Sequence, residues 1–443
     1  MLIEFKVANY RSIRDEQSLS LVASNYSDEL QQNLIDMPLP GLSGTRLLKT
    51  AAIYGANASG KSNIISALRF AIGFVRNSAT GKKPDSETGI QPFKLDPACE
   101  KLPTKFEIQA VVDGTRMLYG LELTRQRVTS EYLVAYPKGR AQIWFERDWD
   151  EKGKKYKWSK SSEHFHHDDA LRSKVRENAS FLSIAAQFNH KQSRSIWDWF
   201  QNTFHFVDEK EETSRIAELL ANEKWRLLAV HALAKADLGI SDAKVIKRKP
   251  DSQTEPKLLE FREHFDRALA VLMEGIGETT SFSKDMEERA RFGDPQLIHR
   301  GKEGFDISMD FHFEESDGTR RFLAILGECF RDAEKGRVMI VDELEASLHP
   351  LLVREIISLF ASFEFSGTRC AQLLFTTHNP LLLDQSLLRR DQIWFTEKDD
   401  EGATRLYPLT DFKPRKDEAL VKGYLAGRYG GVPFIPEGLA AAK

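Results

Sequence analysis

Eight consecutive residues, Gly55-Ala56-Asn57-Ala58-Ser59-Gly60-Lys61-Ser62, follow the spacing G-x-x-x-x-G-K-[ST], and each position in that spacing has a chemical reason. Small residues let successive backbone N–H groups converge on phosphate oxygens, the lysine neutralises the outer phosphates of a triphosphate, and the serine hydroxyl binds Mg²⁺. Gly55, Ala56, Asn57, Ala58, Ser59, Gly60, Lys61 and Ser62, with Asn63 behind them, are therefore candidate ATP-binding residues. Before phosphate arrives, Lys61 is expected to be solvated. Far downstream, Val338-Met339-Ile340-Val341 runs into Asp342-Glu343. Two acids at the carboxyl end of an apolar strand suit two tasks: Asp342 holds Mg²⁺ through its water shell, and Glu343 polarises an attacking water as general base. A third apolar run, Leu373-Leu374-Phe375-Thr376-Thr377, ends in His378, whose imidazole can hydrogen-bond a γ-phosphate or the water. Lys61, Glu343 and His378 are the candidate catalytic groups; Ser62 and Asp342 are candidate Mg²⁺ ligands.

Such groups must be carried by strand ends and helix starts. Residues 51–54 form a short apolar strand leading into the glycine-rich loop, and 63–74 have helical spacing. Residues 2–7 alternate like a half-buried strand. Strand-like stretches at 106–112, 117–123, 131–136 and 142–147, with turn signals Asp113-Gly114 and Lys138-Gly139, predict an antiparallel meander. The middle, roughly 168–276, has more helical spacing, with Ile216, Leu219, Leu220 and the group Leu227, Leu228 and Val230 at helix-like intervals. From 304 onward the signals alternate again: strand 338–341, helix 351–360, strands 373–376 and 393–395. That order predicts an α/β fold with a mainly parallel, helix-covered sheet. One core is expected from 1–104 together with 300–443, with an antiparallel β lobe at 105–160 and a mostly helical insertion at 161–299.

Length and composition narrow the class. A chain of 443 residues corresponds to two or three compact units at about 100–200 residues each. Cys99, Cys329 and Cys370 are too scattered for a disulfide framework or a zinc site, which fits a reducing, cytoplasmic setting. The opening residues alternate like a strand instead of forming a leader, and no run of about 18 apolar residues is present to span a membrane. With 63 Lys plus Arg against 66 Asp plus Glu and a formal charge of -3, no global field draws the chain onto nucleic acid, so any such contact must be local.

Two clusters invite other readings. His164, His166, His167, Asp168 and Asp169 have the composition of a metal site but lack matching distant ligands. Lys152, Lys154, Lys155, Lys157 and Lys160 interleave with Tyr156 and Trp158, as on a nucleic-acid platform, yet the acids of 148–151 beside them favour a hairpin with a solvated face. Lys244, Lys247, Arg248 and Lys249 before Pro250 form a smaller basic run of the same kind.

Taken in chain order, the glycine loop, the Asp342-Glu343 pair and His378 resemble the Walker A loop, Walker B acids and switch histidine of ABC-type ATPases of the SMC-like and OLD-like branch, in which a large insertion separates these motifs. Glu315-Ser316-Asp317-Gly318-Thr319-Arg320-Arg321 resembles the signature segment of that branch. A serine hydroxyl and a glycine N–H at a helix start can face an anion, and the resemblance sets Ser316, Asp317 and Gly318 against the γ-phosphate held by a second subunit. Asn9-Tyr10-Arg11-Ser12-Ile13, Gln91-Pro92-Phe93, Glu345-Ala346-Ser347-Leu348-His349-Pro350 and Tyr429-Gly430-Gly431-Val432-Pro433 extend the likeness over nearly the whole chain and make it similar to the RloA-like group. That group is related to ATPase subunits of anti-phage and abortive-infection systems. The segment from Glu345 to His349 stands at the D-loop position without the wording usual in transporters.

The resemblance implies ATP and Mg²⁺ as cofactors, with Gln91 at the Q-loop position joining Ser62 and Asp342 around the metal. It implies a homodimer or higher oligomer with ATP sandwiched between two cores. It also implies a separate effector, a nuclease or toxin acting in trans, with DNA as a further candidate partner and no membrane. Three other readings compete. An OLD-like nuclease needs a fused Toprim domain, for which the 65 residues after His378 in a 443-residue sequence are too few. An SMC-like ATPase of DNA repair or DNA-end binding calls for sustained heptads, where the insertion shows strands and broken helical stretches. A nucleotide-dependent scaffold without turnover has no use for Glu343.

Overall fold

The strand Thr50–Gly55, buried at every position, runs straight into the glycine loop. In the computed structural model, which describes residues 1–26, 30–36, 44–160, 164–167, 169–207, 215–235, 239–246, 293–363 and 370–432, it sits inside a six-stranded sheet. The order is Phe204–Val207, Val338–Val341, Gln372–Thr377, Thr50–Gly55, Ile393–Lys398, Thr404–Pro408. Val338–Val341, Gln372–Thr377, Thr50–Gly55 and Ile393–Lys398 pair in parallel, and Thr404–Pro408 closes the edge antiparallel. Apolar runs such as VMIV, and the LLF within QLLFTT, are what strands covered on both faces require. The helix Lys61–Asn77 follows the loop, and its buried Ile64, Leu68, Ala71, Ile72 and Val75 recur at the three- and four-residue intervals of one helical stripe.

A second, seven-stranded sheet is antiparallel, in the order Lys155–Trp158, Gln142–Asp150, Val128–Tyr136, Thr115–Leu123, Thr104–Val112, Leu2–Ala8, Gln17–Ser20. Its four central hairpin strands are those expected from the alternation, each somewhat longer at its ends. Asp113 and Gly114, at φ 46° and 74°, make the two-residue turn between paired Val112 and Thr115. Two left-handed residues in succession are the hairpin geometry that twisted strands favour. The opening strand Leu2–Ala8 lies in this sheet, against Thr104–Val112. Buried Gln372 fastens it to the core sheet: its Oε1 accepts from Leu2 N–H at 2.7 Å, and its Nε2 donates to Leu2 O at 2.9 Å and Leu48 O at 3.2 Å.

Chain contacts divide the protein into two units: Met1–Phe206 with Asp332–Ala346 and Ile357–Lys443, and Val207–Arg331 with Ser347–Ile356. Both sheets described above are built in the first. The second contains a three-stranded antiparallel sheet of Ile240–Ile246, Asp294–Arg300 and Asp306–Asp310. It also has helices Ile216–Ala221 and Glu223–Lys235, and much of the long helix Asp317–Lys335. Within 161–299 the helices are thus joined by strands. Ile216, Leu219 and Leu220 are buried as expected, but Leu227 is 56% exposed, and Trp225, Ala229, Ala232 and Leu233 form the buried side of the helix instead. Small alanines at 229 and 232 let that side approach its neighbours, a cue that counting large apolar residues misses. Lys247, Arg248, Lys249, Pro250 and the stretch 247–292 lie outside the described residues, as do Asp168 and Pro433. Among the described residues no helix is long and apolar enough to cross a membrane.

One buried ion pair ties the antiparallel sheet to the helix Phe181–Gln187. Glu131 and Arg147 face each other across paired strands, fully buried, with the guanidinium Nη2 2.7 Å from the carboxylate. The same carboxylate accepts from Phe181 N–H at 2.7 Å, Leu182 N–H at 3.1 Å and the Tyr119 hydroxyl at 2.9 Å. Removing one partner strands the other charge in the interior, a penalty of about 3–5 kcal/mol. Glu131→Ala is therefore expected to lower stability by about 3–5 kcal/mol in urea unfolding; a loss too small to resolve would show that the pair does not hold the helix to the sheet.

Candidate functional site

Parallel register brings the three sequence motifs to one edge. Val341 pairs with Phe375, Phe375 with Ala52, and Thr377 with Tyr54. Extending these ladders by one or two residues sets Asp342-Glu343, His378 and the loop that begins at Gly55 at the carboxyl ends of three neighbouring strands. That is the side on which parallel α/β sheets bind ligands. The strand Gln372–Thr377 is the middle of the three.

Packing shapes the loop. A side chain on Gly55 would run into Thr396 and Ser59, and one on Gly60 into Thr404, while Gly60 also takes a left-handed φ of 114°. Ala58 is left-handed too, at φ 62°. Ser59 points inward, its Oγ 2.6 Å from Thr396 Oγ1, and its carbonyl accepts from Thr404 Oγ1 at 3.0 Å. Asn63 turns its amide to Ser12 Oγ at 2.5 Å, and Ser12 Oγ lies 2.8 Å from Thr404 Oγ1. The loop is thus braced by the Arg11–Ile13 turn and by the two strands at the sheet edge. Asn57, Ala58 and Ser62 are exposed, and Ala56 is partly so. Gly431 braces the far side: a Cβ added there would lie 3.5 Å from Thr396 O and 3.7 Å from Gly55 Cα.

Lys61 departs from the expectation of a solvated ammonium. It is 5% exposed, and its Nζ donates to Gly55 O at 2.8 Å and Ala56 O at 3.1 Å. Loop carbonyls occupy donors that water would otherwise take. Burial lowers its pKa, opposed by the nearby charges of Glu343, Glu345 and Asp342, in that order. Lys61 and the three acids therefore share one electrostatic neighbourhood.

The turn after Val338–Val341 is held by one hydroxyl. Thr376 Oγ1 donates to Asp342 Oδ1 at 2.5 Å and accepts from Glu343 N–H at 2.7 Å, and Leu344 N–H reaches Thr376 O at 3.1 Å. Glu343 sits at φ 52°, a conformation uncommon for a residue with a Cβ, sustained here by that bond. Both acids are exposed, whereas Glu345 is buried and binds His378. Thr376 and Glu345 hold the candidate site together, and motif reading gave neither a role, naming Glu345 only as the start of the segment at the D-loop position. The threonine is one letter in an apolar run, and the glutamate hides in a polar stretch.

The signature residues belong to the second unit. Ser316 Oγ accepts from Thr319 N–H at 3.1 Å, opening the helix Asp317–Lys335, and Asp317 pairs with Arg320. Ser316 and Asp317 are exposed, and a Cβ on Gly318 would come within 3.1 Å of Ser347 O. Gln91 is exposed; its carbonyl accepts from Arg11 N–H at 2.8 Å. In the histidine-rich segment His164, His166 and Asp169 are exposed, and His167 packs inward. His167 is buried, bonded to Arg172 Nε at 2.9 Å and set among Trp158, Phe165 and Phe181. In the lysine-rich hairpin, Lys154 pairs with Glu151 and Lys157 with Asp150.

A family model described as "AAA domain, putative AbiEii toxin, Type IV TA system" matches residues 51–384. No curated protein matches the chain. Among solved structures, the SMC head domain from Thermotoga maritima is similar at 12% identity and a TM-score of 0.43, over 92% of this chain and 98% of that one. The Smc head domain with an extended coiled coil bound to the C-terminal domain of ScpA, derived from Pyrococcus furiosus, is similar at 14% identity and a TM-score of 0.31, over 92% and 95%.

Thr376→Val keeps the shape but leaves Glu343 N–H and a carboxylate oxygen without their partner, so stability should fall by about 1–3 kcal/mol. Thr376→Ser should stay within about 1 kcal/mol of the parent. A Thr376→Val variant as stable as the parent beside a destabilised Thr376→Ser, measured by urea unfolding, would assign the effect to the methyl group instead of the hydroxyl.

Proposed function

The chain belongs to the AAA-domain family whose model spans residues 51–384, and from that premise we propose that it binds ATP with Mg²⁺ and hydrolyses the terminal phosphoanhydride. The observation that supports this most is the shared strand edge, where the glycine loop, Asp342-Glu343 and His378 adjoin and Lys61 lies in the field of the acids. Ser62 and Asp342 offer exposed hard oxygen donors, the kind Mg²⁺ prefers, and in this reading Gln91 joins them. When bound, the metal supplies charge neutralisation to the phosphates. Backbone N–H groups of 56–62 cradle the phosphate oxygens, and Lys61 exchanges the Gly55 and Ala56 carbonyls for phosphate. Glu343 accepts a proton from the attacking water. The new P–O bond forms as the β–γ bridging P–O bond breaks, releasing ADP and inorganic phosphate. His378 contacts the γ-phosphate or the water.

Ser316, Asp317 and Gly318, at the start of their helix, are assigned to the γ-phosphate of a second copy. A homodimer or higher oligomer then closes on ATP and reopens on hydrolysis, because the terminal phosphate is the link that hydrolysis removes. The family description, together with the RloA-like resemblance, supports a cytoplasmic anti-phage defence role in which this cycle gates a separate nuclease or toxin.

Glu343→Gln is expected to retain ATP binding while turnover falls by about 10²–10⁴-fold, the usual share of a general base. Unchanged phosphate release would take that role from Glu343. Ser316→Arg should abolish ATP-dependent dimerisation, read by light scattering, while each chain still binds nucleotide; a dimer that persists with ATP would remove the trans assignment.

A further inference from the structure

Glu345 has no part in the chemistry above, yet it is the buried one of the three acids at this turn, 8% exposed. Its Oε1 accepts from His378 N–H at 2.6 Å and lies 3.0 Å from Nδ1 of the same residue's ring, at ion-pair distance. Its Oε2 is buried and takes no hydrogen bond among the described residues. A buried carboxylate oxygen left unsatisfied is costly, and such groups in a native fold call for a reason. The surroundings supply one. The negative charge of Glu345 acts on Lys61 in the same direction as those of Glu343 and Asp342, so the residue stands within the field of the loop lysine while gripping the histidine.

The grip also decides the ring's chemistry. A carboxylate accepts and cannot donate, so the nitrogen facing it carries the proton, and the other nitrogen takes the complementary role. With Nδ1–H on Glu345, Nε2 of the neutral ring is a lone pair available to a water O–H. If the ring is protonated, Nε2–H donates to a phosphate oxygen. The side chain of His378 is 54% exposed, so the free nitrogen is accessible. We infer that Glu345 is a positioning residue that holds His378 by main chain and ring together and so presents imidazole Nε2 to the terminal phosphate and its attacking water. This rests on the ATPase reading and adds to it the residue that orients the histidine.

Glu345→Gln keeps an acceptor oxygen for His378 N–H but removes the charge. In the full-length protein it is expected to leave the KM for ATP within about threefold and to lower kcat about 10–100-fold, the range typical of an orienting outer partner. In a His378→Ala background the same substitution should cost nothing further, because residues acting as a unit are not additive. A kcat within about twofold of the parent, a KM rising in step with the fall in kcat, or fully additive losses in the double variant would each overturn the inference. If Glu345→Gln does not fold, ¹⁵N shifts of the His378 ring in the parent protein decide: the Nδ1–H tautomer supports the assignment and the Nε2–H tautomer refutes it. Lys61→Ala separates the two levels. If it hydrolyses ATP like the parent, the ATPase reading itself fails; if it is inactive while Glu345→Gln keeps a kcat within about twofold of the parent, only the role of Glu345 falls.

Discussion

Everything at this site depends on one strand, Gln372–Thr377, lying parallel between Val338–Val341 and Thr50–Gly55. Parallel pairing sends all three carboxyl ends the same way, and the register leaves little freedom in what meets there. A slip of one residue in any ladder would turn Thr376 from Asp342 and point alternate side chains to the other face. All six positions of that strand are buried, and its polar Gln372 and Thr376 find their hydrogen-bond partners only in this register. Chemistry at the edge is therefore a by-product of burial several residues away.

The strands that carry the motifs were legible because their signals are local. Four apolar residues before Asp342, the run Leu373-Leu374-Phe375 shortly before His378, and a glycine loop between a strand and a helix each announce themselves within a short window. The antiparallel hairpins were equally plain from alternation and from Asp113-Gly114. What alternation does not disclose is the partner. Leu2–Ala8 reads as a half-buried strand in either sheet, and only the fold sets it against Thr104–Val112. The helix Glu223–Lys235 shows a different limit: its alanines and Trp225 are buried where its leucine at 227 is not, because neighbouring surfaces and not residue size choose the covered side.

Within the site, the residues expected to act on ligand stand out in the sequence, and those that hold them do not. Thr376, Thr396, Thr404 and Ser12 are short hydroxyl side chains to which motif reading gives no role, and each reaches its partner across a large separation in sequence. Hydroxyls suit that work, since one oxygen can donate to one neighbour and accept from another, as Thr376 does between Asp342 and Glu343. Lys61 makes the point electrostatically. Motif reading names its task but not its resting place, which burial and two loop carbonyls determine.

The amide of Gln372 has a consequence beyond holding two sheets together. Its three hydrogen bonds to Leu2 and Leu48 lie in the interior, at the opposite end of the strand whose far tip leads into His378. Shearing one sheet over the other would break them at about 1–3 kcal/mol for each group left unpaired. Within this unit, the antiparallel sheet is thus tied directly to the strand whose carboxyl end leads into His378.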